Sequence, residues 1–315
     1  MISLGPLEYL KLAVYYASYL YVVAAPLCLW LMARRRGRLR AAAAAFFVAI
    51  TCLAYGRFVE PRMLLAAEHD VLLASCGAKA GAARIAVISD LHQGIFANAM
   101  PIERIARRID VLNPDFTLIA GDLTYYLDPE RFEDVFAPLG AMRAPVFAVL
   151  GNHDIGLPGP DLSADLTKAL AAGGVAVIDN TTHRLSNSKF DIDLVGLSDL
   201  WGEAQDLSLL LKPPSRPRLV LTHNPATVEE FWPGMSADLL IAGHTHGGQI
   251  QLPLLTCLVT GVCGDWGYGL REGAGVSIFT TSGTGMSGLP MRFRVPPRID
   301  VLNVRYPACG AAPGA

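Results

Sequence analysis

The sequence predicts an α/β domain that is preceded by a transmembrane helical hairpin. Only 17% of the 315 residues are charged and the mean hydropathy is +0.36, which is apolar for a soluble protein and indicates a membrane part. Two long uncharged segments lie near the N-terminus. From about residue 84 onward, short apolar runs alternate with helix-like stretches, a pattern typical of a sheet that is covered on both faces.

The two uncharged segments have the lengths and flanks of membrane helices. Leu12–Ala33 is long enough to cross a bilayer, and five arginines follow it between Arg34 and Arg40. The second segment, Ala41–Gly56, is shorter, but arginines that snorkel to the interface can extend it. We therefore predict membrane helices over about 12–33 and 41–56, with one helix plus an interfacial segment as the alternative. A signal peptide is disfavoured because the basic residues follow the apolar run.

The arginines also predict an orientation and a domain organisation. Basic residues in short loops stay cytoplasmic, so the hairpin would carry everything after Gly56 to the extracytoplasmic side of the cytoplasmic membrane. We expect a membrane anchor over residues 1–57, a linker over 58–83, an α/β domain over 84–306 and a disordered tail over 307–315. The net charge of −2 gives no sign of a nucleic-acid-binding surface.

The expected strands of the domain end in polar residues. Apolar runs cover residues 84–90, 116–122, 146–154, 218–225 and 237–246, with two further strands over 276–283 and 299–306. Helix-like stretches lie between them, over residues 102–112, 130–139 and 162–172. In open α/β sheets the carboxyl ends of the strands are where sites are built, so we expect these polar residues to lie together.

The polar residues at that edge are typical of a metal site. The polar residues there are Asp90, His92, Asp122, Asn152, His153, Asp154, His223, His244 and His246. Carboxylate, imidazole and amide groups suit first-row divalent metals, and the set is too large for one ion but fits two. Asp122 could bridge two cations about 3.5–4 Å apart. A structural zinc site is disfavoured, since none of the six cysteines forms a CxxC motif.

The histidines divide into two groups. Glycines flank His244 and His246 and let the backbone turn the two imidazoles toward one point. A single Asp-x-His motif is commonly no more than a turn, but five such motifs in order, each after an expected strand, indicate a site. His69 and His183 lie outside these motifs, and we expect each to be solvated or bonded locally.

The ordered motifs resemble the calcineurin-like metallophosphoesterases. Their pattern D-x-H, G-D, G-N-H-D/E, H, G-H-x-H is complete here, and the resemblance covers residues 84–306. It implies a four-layer α/β/β/α sandwich. The stretches "GHTHGGQIQLP", "YGL" and "SGTGMSGLPMRFRVPP" look like the YkuE-like membrane-anchored branch.

The resemblance also implies roles for the site residues. One metal would be held by Asp90, His92, Asp122 and His246, and the other by Asp122, Asn152, His223 and His244. His153 would lie beside the substrate phosphate, oriented by Asp154. A hydroxide that bridges the metals would attack phosphorus, and His153 would protonate the leaving oxygen or stabilise the developing charge.

These observations predict a membrane-anchored, metal-dependent phosphoric ester hydrolase that cleaves a phosphomonoester, phosphodiester or pyrophosphate bond. The substrate could be soluble or lipid-linked, including a lipid precursor similar to UDP-2,3-diacylglucosamine, and the two divalent ions could be Mn, Fe or Zn. A metal-stabilised binding or scaffold module without catalysis is the alternative. Cys257 and Cys263 are six residues apart, and both a disulfide and two free thiols remain open.

Overall fold

The N-terminal part of the chain forms a helical hairpin. The computed structural model describes residues 2–252, 256, 266–273 and 275–310. The first rod consists of helix α1, a 3₁₀ turn and helix α2, and the second consists of helix α3, a π-helical turn and a 3₁₀ turn. Their bounds are Pro6–Ala17, Ser18–Leu20 and Tyr21–Arg34 in the first rod, and Gly37–Ala54, Tyr55–Val59 and Glu60–Arg62 in the second. Both rods are long and apolar enough to cross a membrane, and both expected spans lie within them.

Two six-stranded sheets and one two-stranded ribbon follow the hairpin. The first sheet has the order β1-β14-β2-β4-β6-β7 and the second has the order β12-β13-β11-β10-β9-β8. The first sheet contains β1 (Leu65–Leu72), β2 (Gly81–Ile88), β4 (Phe116–Ala120), β6 (Val146–Val149), β7 (Ala176–Val177) and β14 (Arg298–Tyr306). The second contains β8 (Thr181–Ser186), β9 (Asp191–Gly196), β10 (Arg218–Leu221), β11 (Leu239–Ala242), β12 (Gly269–Gly273) and β13 (Val276–Thr280). The ribbon pairs β3 (Gln93–Gly94) with β5 (Thr124–Tyr125).

The strands alternate their side chains between two apolar cores. In β2, Ile85 and Val87 face the core between the sheets, whereas Ala86 and Ile88 face the helices on the outer side. Those helices are α4 (Ile102–Leu112), α5 (Phe132–Gly140) and α6 (Ser163–Ala172). The amphipathic helix α4 buries Ile102, Ile105, Ala106 and Ile109 at helical spacing and ends at Asn113, which has a positive φ.

The predicted four-layer α/β/β/α sandwich is confirmed. In the part of the chain that the structure describes, short 3₁₀ helices form the outer layer beside the second sheet, over Leu200–Gly202, Leu207–Leu210 and Pro225–Glu230. Leu210 and Val228 from these helices pack on Val220 and Leu240 of the sheet. The two sheets of the sandwich pack face to face. The carboxyl ends of their central parallel strands therefore lie along one common edge.

The expected linker over residues 58–83 needs correction. Strand β1 lies within it and pairs in parallel with β14, with Leu65 opposite Arg298 and Leu72 opposite Arg305. Strand β2 likewise begins at Gly81 instead of residue 84. The sequence of β1 carries Glu68, His69 and Asp70 and lies at the sheet edge, which explains why it lacks a continuous apolar run.

The expected disordered tail also needs correction. Cys309 forms a disulfide with Cys76, and Ala308 forms a β-bridge with Gly77. The bridge therefore fastens the end of the domain to the segment that follows β1. Residues 311–315, like the open question of a bond between Cys257 and Cys263, lie outside the described residues.

Candidate metal centre

The loops of the site leave the strands through sharp turns. Asp90 follows β2, Asp122 follows β4, and His244 follows β11. These three residues have φ values of 51°, 53° and 67°, in the left-handed region that residues other than glycine seldom adopt. Such conformations cost about 1–3 kcal/mol each and concentrate at functional sites. Here they turn the side chains inward immediately after the strands end.

One group of ligand atoms gathers around Asp90. Its Oδ1 lies 3.3 Å from Nε2 of His246, and that nitrogen lies 3.0 Å from Nε2 of His92. The His92 nitrogen lies 3.5 Å from Oδ2 of Asp122. All four residues are buried. The structure thus brings together four of the seven predicted ligands, although they lie far apart in the sequence.

The other predicted ligands gather on the opposite side of Asp122. Asn152 Oδ1, His223 Nε2 and His244 Nδ1 lie 3.1 Å from one another. Asp122 Oδ2 lies 3.3 Å from the same His223 nitrogen. The other nitrogen of His223, Nδ1, donates a hydrogen bond to the carbonyl of Ala120 at 2.8 Å, which directs the lone pair of Nε2 toward the group.

The chemistry of these atoms fits metal binding. They are mostly acceptors that face one another in a buried space, and Asp90 Oδ1 and Nδ1 of His92 have no hydrogen-bond partner among the described residues. Burial lowers the pKa of His92 and of His244 to about 3, so both imidazoles are neutral, the form that ligates metals. Acidic and histidine groups at these positions lie within 4.8 Å of one another, close enough to hold a cation.

Of the other side chains at the site, the carboxylates of Asp90 and Asp122 and the imidazole of His223 carry the charge. Burial raises the pKa of Asp90 to about 7. Burial alone would lower the pKa of His223, but the nearby carboxylate of Asp122 outweighs it and raises that pKa to about 10. A cation that replaced the proton on His223 would therefore be held by the same carboxylate.

Comparison with known proteins assigns the domain. The family model described as "Calcineurin-like phosphoesterase" matches residues 83–248, which is more than half of the chain. The chain belongs to the calcineurin-like phosphoesterase family. It is 32% identical to phosphodiesterase YaeI of Escherichia coli, over 70% of this chain and 80% of that one.

Two further relatives of this phosphoesterase extend the comparison. The metallophosphoesterase YkuE of Bacillus subtilis is 29% identical, over 87% of this chain and 98% of that one. The UDP-2,3-diacylglucosamine pyrophosphatase LpxG of Chlamydia trachomatis is 25% identical, over 63% of this chain and 74% of that one. The family and its relatives make this chain a metal-dependent phosphoric ester hydrolase, and the predicted resemblance is confirmed.

His153 of the phosphoesterase lies beside the ligands, but Asp154 does not touch its ring. The His153 ring centroid is 5.1 Å from that of His92, and its backbone N–H donates to Asp122 Oδ1 at 2.9 Å. Asp154 instead accepts four hydrogen bonds, from the backbone N–H groups of Leu123, Thr124 and Gly151 and from the Thr124 hydroxyl. Among the described residues these bonds do not reach the His153 ring, and the orienting role expected of Asp154 stays a prediction. The Asp154 carboxylate ties the loop after β4 to the loop after β6.

A cavity of about 320 Å³ opens over the candidate ligands of the phosphoesterase. Besides Asp122, Asn152, His153, His244 and His246, its lining includes Lys11, Tyr125 and Trp201, which the sequence analysis did not single out. Trp201 is 50% exposed and its ring centroid lies 4.7 Å from that of His244. No local pattern marks Trp201, because it reaches the site through the fold from a 3₁₀ helix.

The "SGTGMSGLPMRFRVPP" stretch holds the Asp90 loop in place. Arg292 is fully buried and donates to the carbonyls of Ser282, Gly285 and Val295 at 3.0, 2.7 and 3.0 Å. A side chain at Gly285 would meet the carbonyl oxygen of Leu91 at 2.3 Å, so this close approach requires glycine. The motif was visible in the sequence, but its positioning role was not.

The two histidines expected to lie outside the site do so. His69 Nε2 lies 2.9 Å from the buried carboxylate of Asp300, and His183 Nε2 lies 3.0 Å from the hydroxyl of Thr181. Asp300 lies on β14, which pairs with the strand that contains His69, and Thr181 lies on the same strand as His183. The prediction of a local bond is confirmed for His183, whereas His69 is bonded to a residue 231 positions along the chain.

Proposed function

We propose that the protein is a membrane-anchored phosphoesterase whose site holds two divalent cations. The observation that carries the proposal is the position of Asp122 Oδ2, which lies 3.5 Å from His92 Nε2 and 3.3 Å from His223 Nε2. A single carboxylate oxygen thus belongs to both groups of ligand atoms. Sharing of this kind is what a bridging carboxylate requires.

Each cation would have its own set of side chains. The first set is Asp90, His92, Asp122 and His246, and the second is Asp122, Asn152, His223 and His244. Divalent cations supply an activated water nucleophile and neutralise charge on a phosphoryl group. The ring of His153 lines the same cavity, where it can donate a hydrogen bond to the phosphoryl group or to the leaving oxygen.

We propose a phosphodiester or a lipid-linked phosphoester as the substrate. The relative YaeI is named a phosphodiesterase, which favours the first class. The relative LpxG is named for a lipid precursor, UDP-2,3-diacylglucosamine, and the two apolar rods of this chain favour a substrate that is available at a membrane. In both classes the scissile bond joins phosphorus to oxygen, so one site can serve either.

We further propose that the catalytic domain lies outside the cytoplasm. The arginine-rich turn between α2 and α3 favours a cytoplasmic loop, which places both ends of the hairpin on the other side. The disulfide between Cys76 and Cys309 supports this side, because disulfides persist in oxidising compartments.

Metal reconstitution of the full-length protein in detergent tests the function. Protein stripped with a chelator is loaded with Mn²⁺, Fe²⁺ or Zn²⁺, and bound metal is counted by mass spectrometry while bis(p-nitrophenyl) phosphate is offered as substrate. We expect about two ions per chain and turnover that disappears on chelation. One ion per chain at full activity would contradict the two-metal proposal, and absence of turnover with every metal would contradict the enzyme itself.

A further inference from the structure

Helix α1 carries a polar stripe that faces the catalytic domain. Glu8, Lys11 and Tyr15 of α1 and Ser18 of the following 3₁₀ turn are separated by three, four and three residues, which places them on one side of the first rod. Glu8, Tyr15 and Ser18 are buried, whereas Leu7, Leu10, Tyr16 and Leu20 are 58–66% exposed. The helix therefore presents its polar side to the protein and its apolar side outward.

Contacts fix this stripe on the domain and on the end of the second rod. The Tyr15 ring stacks on Phe96 of the domain, with the ring centroids 5.7 Å apart. The buried guanidinium of Arg57 lies 4.0 Å over the Tyr15 ring, and its Nε donates to the Ser18 hydroxyl at 3.1 Å. These contacts hold α1 as one wall of the domain.

Lys11 brings a positive charge from this helix to the site. Its ammonium group donates to the Tyr125 hydroxyl at 2.6 Å and lies 3.3 Å from a Glu8 carboxylate oxygen. The Tyr125 ring centroid is 5.0 Å from that of His153. Of the described residues that line the cavity over the candidate metal centre, Lys11 is the only lysine or arginine.

The cavity consequently lies against the N-terminal part of the first rod, which is a candidate membrane span. Between Ser18 and Arg57, the rods expose large apolar side chains such as Val22, Leu29 and Phe46. Lys11 precedes this part of the chain, on the side of the catalytic domain. A phosphate at the surface of a bilayer around the rods would lie close to the cavity.

We propose that Lys11 binds the phosphate group of an amphiphilic substrate that enters from the membrane surface, so that an element of the anchor selects lipid-linked phosphoesters. The inference rests on the proposed function and narrows its substrate class. Of the three donors of the Lys11 ammonium group, one is bonded to the Tyr125 hydroxyl and another faces Glu8, so the third remains for a phosphate oxygen. The exposed apolar side chains of α1, such as Leu7 and Leu10, offer a surface for acyl chains.

Binding measurements test the inference independently of turnover. Full-length protein in phosphatidylcholine nanodiscs is titrated with dihexanoyl phosphatidic acid and, separately, with glycerol 3-phosphate, which has the same phosphate without acyl chains. We expect the wild type to bind the lipid at least about tenfold more tightly. Lys11→Ala should weaken lipid binding about tenfold or more with unchanged metal content, and Lys11→Arg should retain most of it.

Lys168→Ala is the matched control, because Lys168 is exposed on α6 in the outer helical layer and should bind both compounds like the wild type. Equal affinity of the wild type for both compounds, or unchanged lipid binding in Lys11→Ala, would overturn the inference. Failure of the proposed function is distinct from either result, since it would appear as missing turnover of bis(p-nitrophenyl) phosphate whatever the binding constants are.

Discussion

Asp122 is the residue on which both groups of candidate ligands depend. Asp122→Asn removes the negative charge from the oxygen that lies 3.5 Å from His92 and 3.3 Å from His223. We expect fewer than two bound ions per chain and a loss of activity by several orders of magnitude, measured by metal analysis and steady-state kinetics. Retention of two tightly bound ions with near-normal turnover would refute the assignment.

His153 has a different expected role from the ligands around it. His153→Ala should leave the metal content unchanged and lower kcat by about 10²–10⁴, the range for a lost general acid. A substrate with a good leaving group, such as a nitrophenyl ester, should be affected less because it needs little protonation. The His153 ring also lies within reach of His92 and Asp122 as a ligand, so metal loss in this variant would assign it to the metals instead.

At the scale of single residues, the sequence predicted which residues belong to the site better than it predicted the contacts that they make. The seven candidate ligands could be found because each follows an apolar strand, and parallel strands bring their carboxyl ends together. The partners of Asp154 could not be found, since three of its four hydrogen bonds come from backbone N–H groups, which no side-chain pattern encodes. Lys11 and Trp201 were missed because they enter the site from segments remote in sequence.

At the scale of elements, the edge strand β1 depends on a distant partner. Cys76 lies just after it and is bonded to Cys309, 233 residues later in the chain. Removing such a cross-link typically costs about 2–5 kcal/mol. We therefore expect Cys76→Ser to lower the thermal unfolding midpoint of the detergent-solubilised protein, followed by circular dichroism, with the bound metal largely retained.

Cys52→Ser provides the control for that experiment, because Cys52 is an exposed free cysteine in α3. It should leave the unfolding midpoint unchanged. Mass spectrometry of the unreduced wild type should show the peptide that joins Cys76 to Cys309. Free thiols at both positions in protein taken from its native membrane would contradict the bond.

The elements that were predicted and those that were missed differ in burial. Strands β4, β10 and β11 are buried at every position, so each appears as a predominantly apolar run, in which Thr117 of β4 and Arg218 of β10 are the polar residues. Strand β1 has exposed and half-buried positions over most of its length, and among the described strands it pairs with β14 alone. Pairing with a strand so far along the chain is set by the tertiary fold and leaves no local signal.

At the scale of the whole molecule, the arginine-rich turn is expected to determine on which side of the membrane the site lies. Arg34, Arg35, Arg36, Arg38 and Arg40 are all exposed around the turn between the two rods. Alkaline phosphatase fused to the C-terminus should be active, since it needs an oxidising compartment, and a green fluorescent protein fusion should be dark. The opposite pattern would place the domain inside the cytoplasm.

Changing those five arginines to glutamine tests whether they cause the orientation. The variant should lose alkaline phosphatase activity and gain fluorescence in part of the population, because the charge difference between the two ends of each rod becomes small. Arg104, Arg107 and Arg108 are exposed on α4, and glutamine at these three positions should change neither reporter. If the orientation of the five-arginine variant is unchanged, the catalytic domain itself determines the side of the membrane. A folded unit beyond the second rod would then do so without help from the charge of the loop.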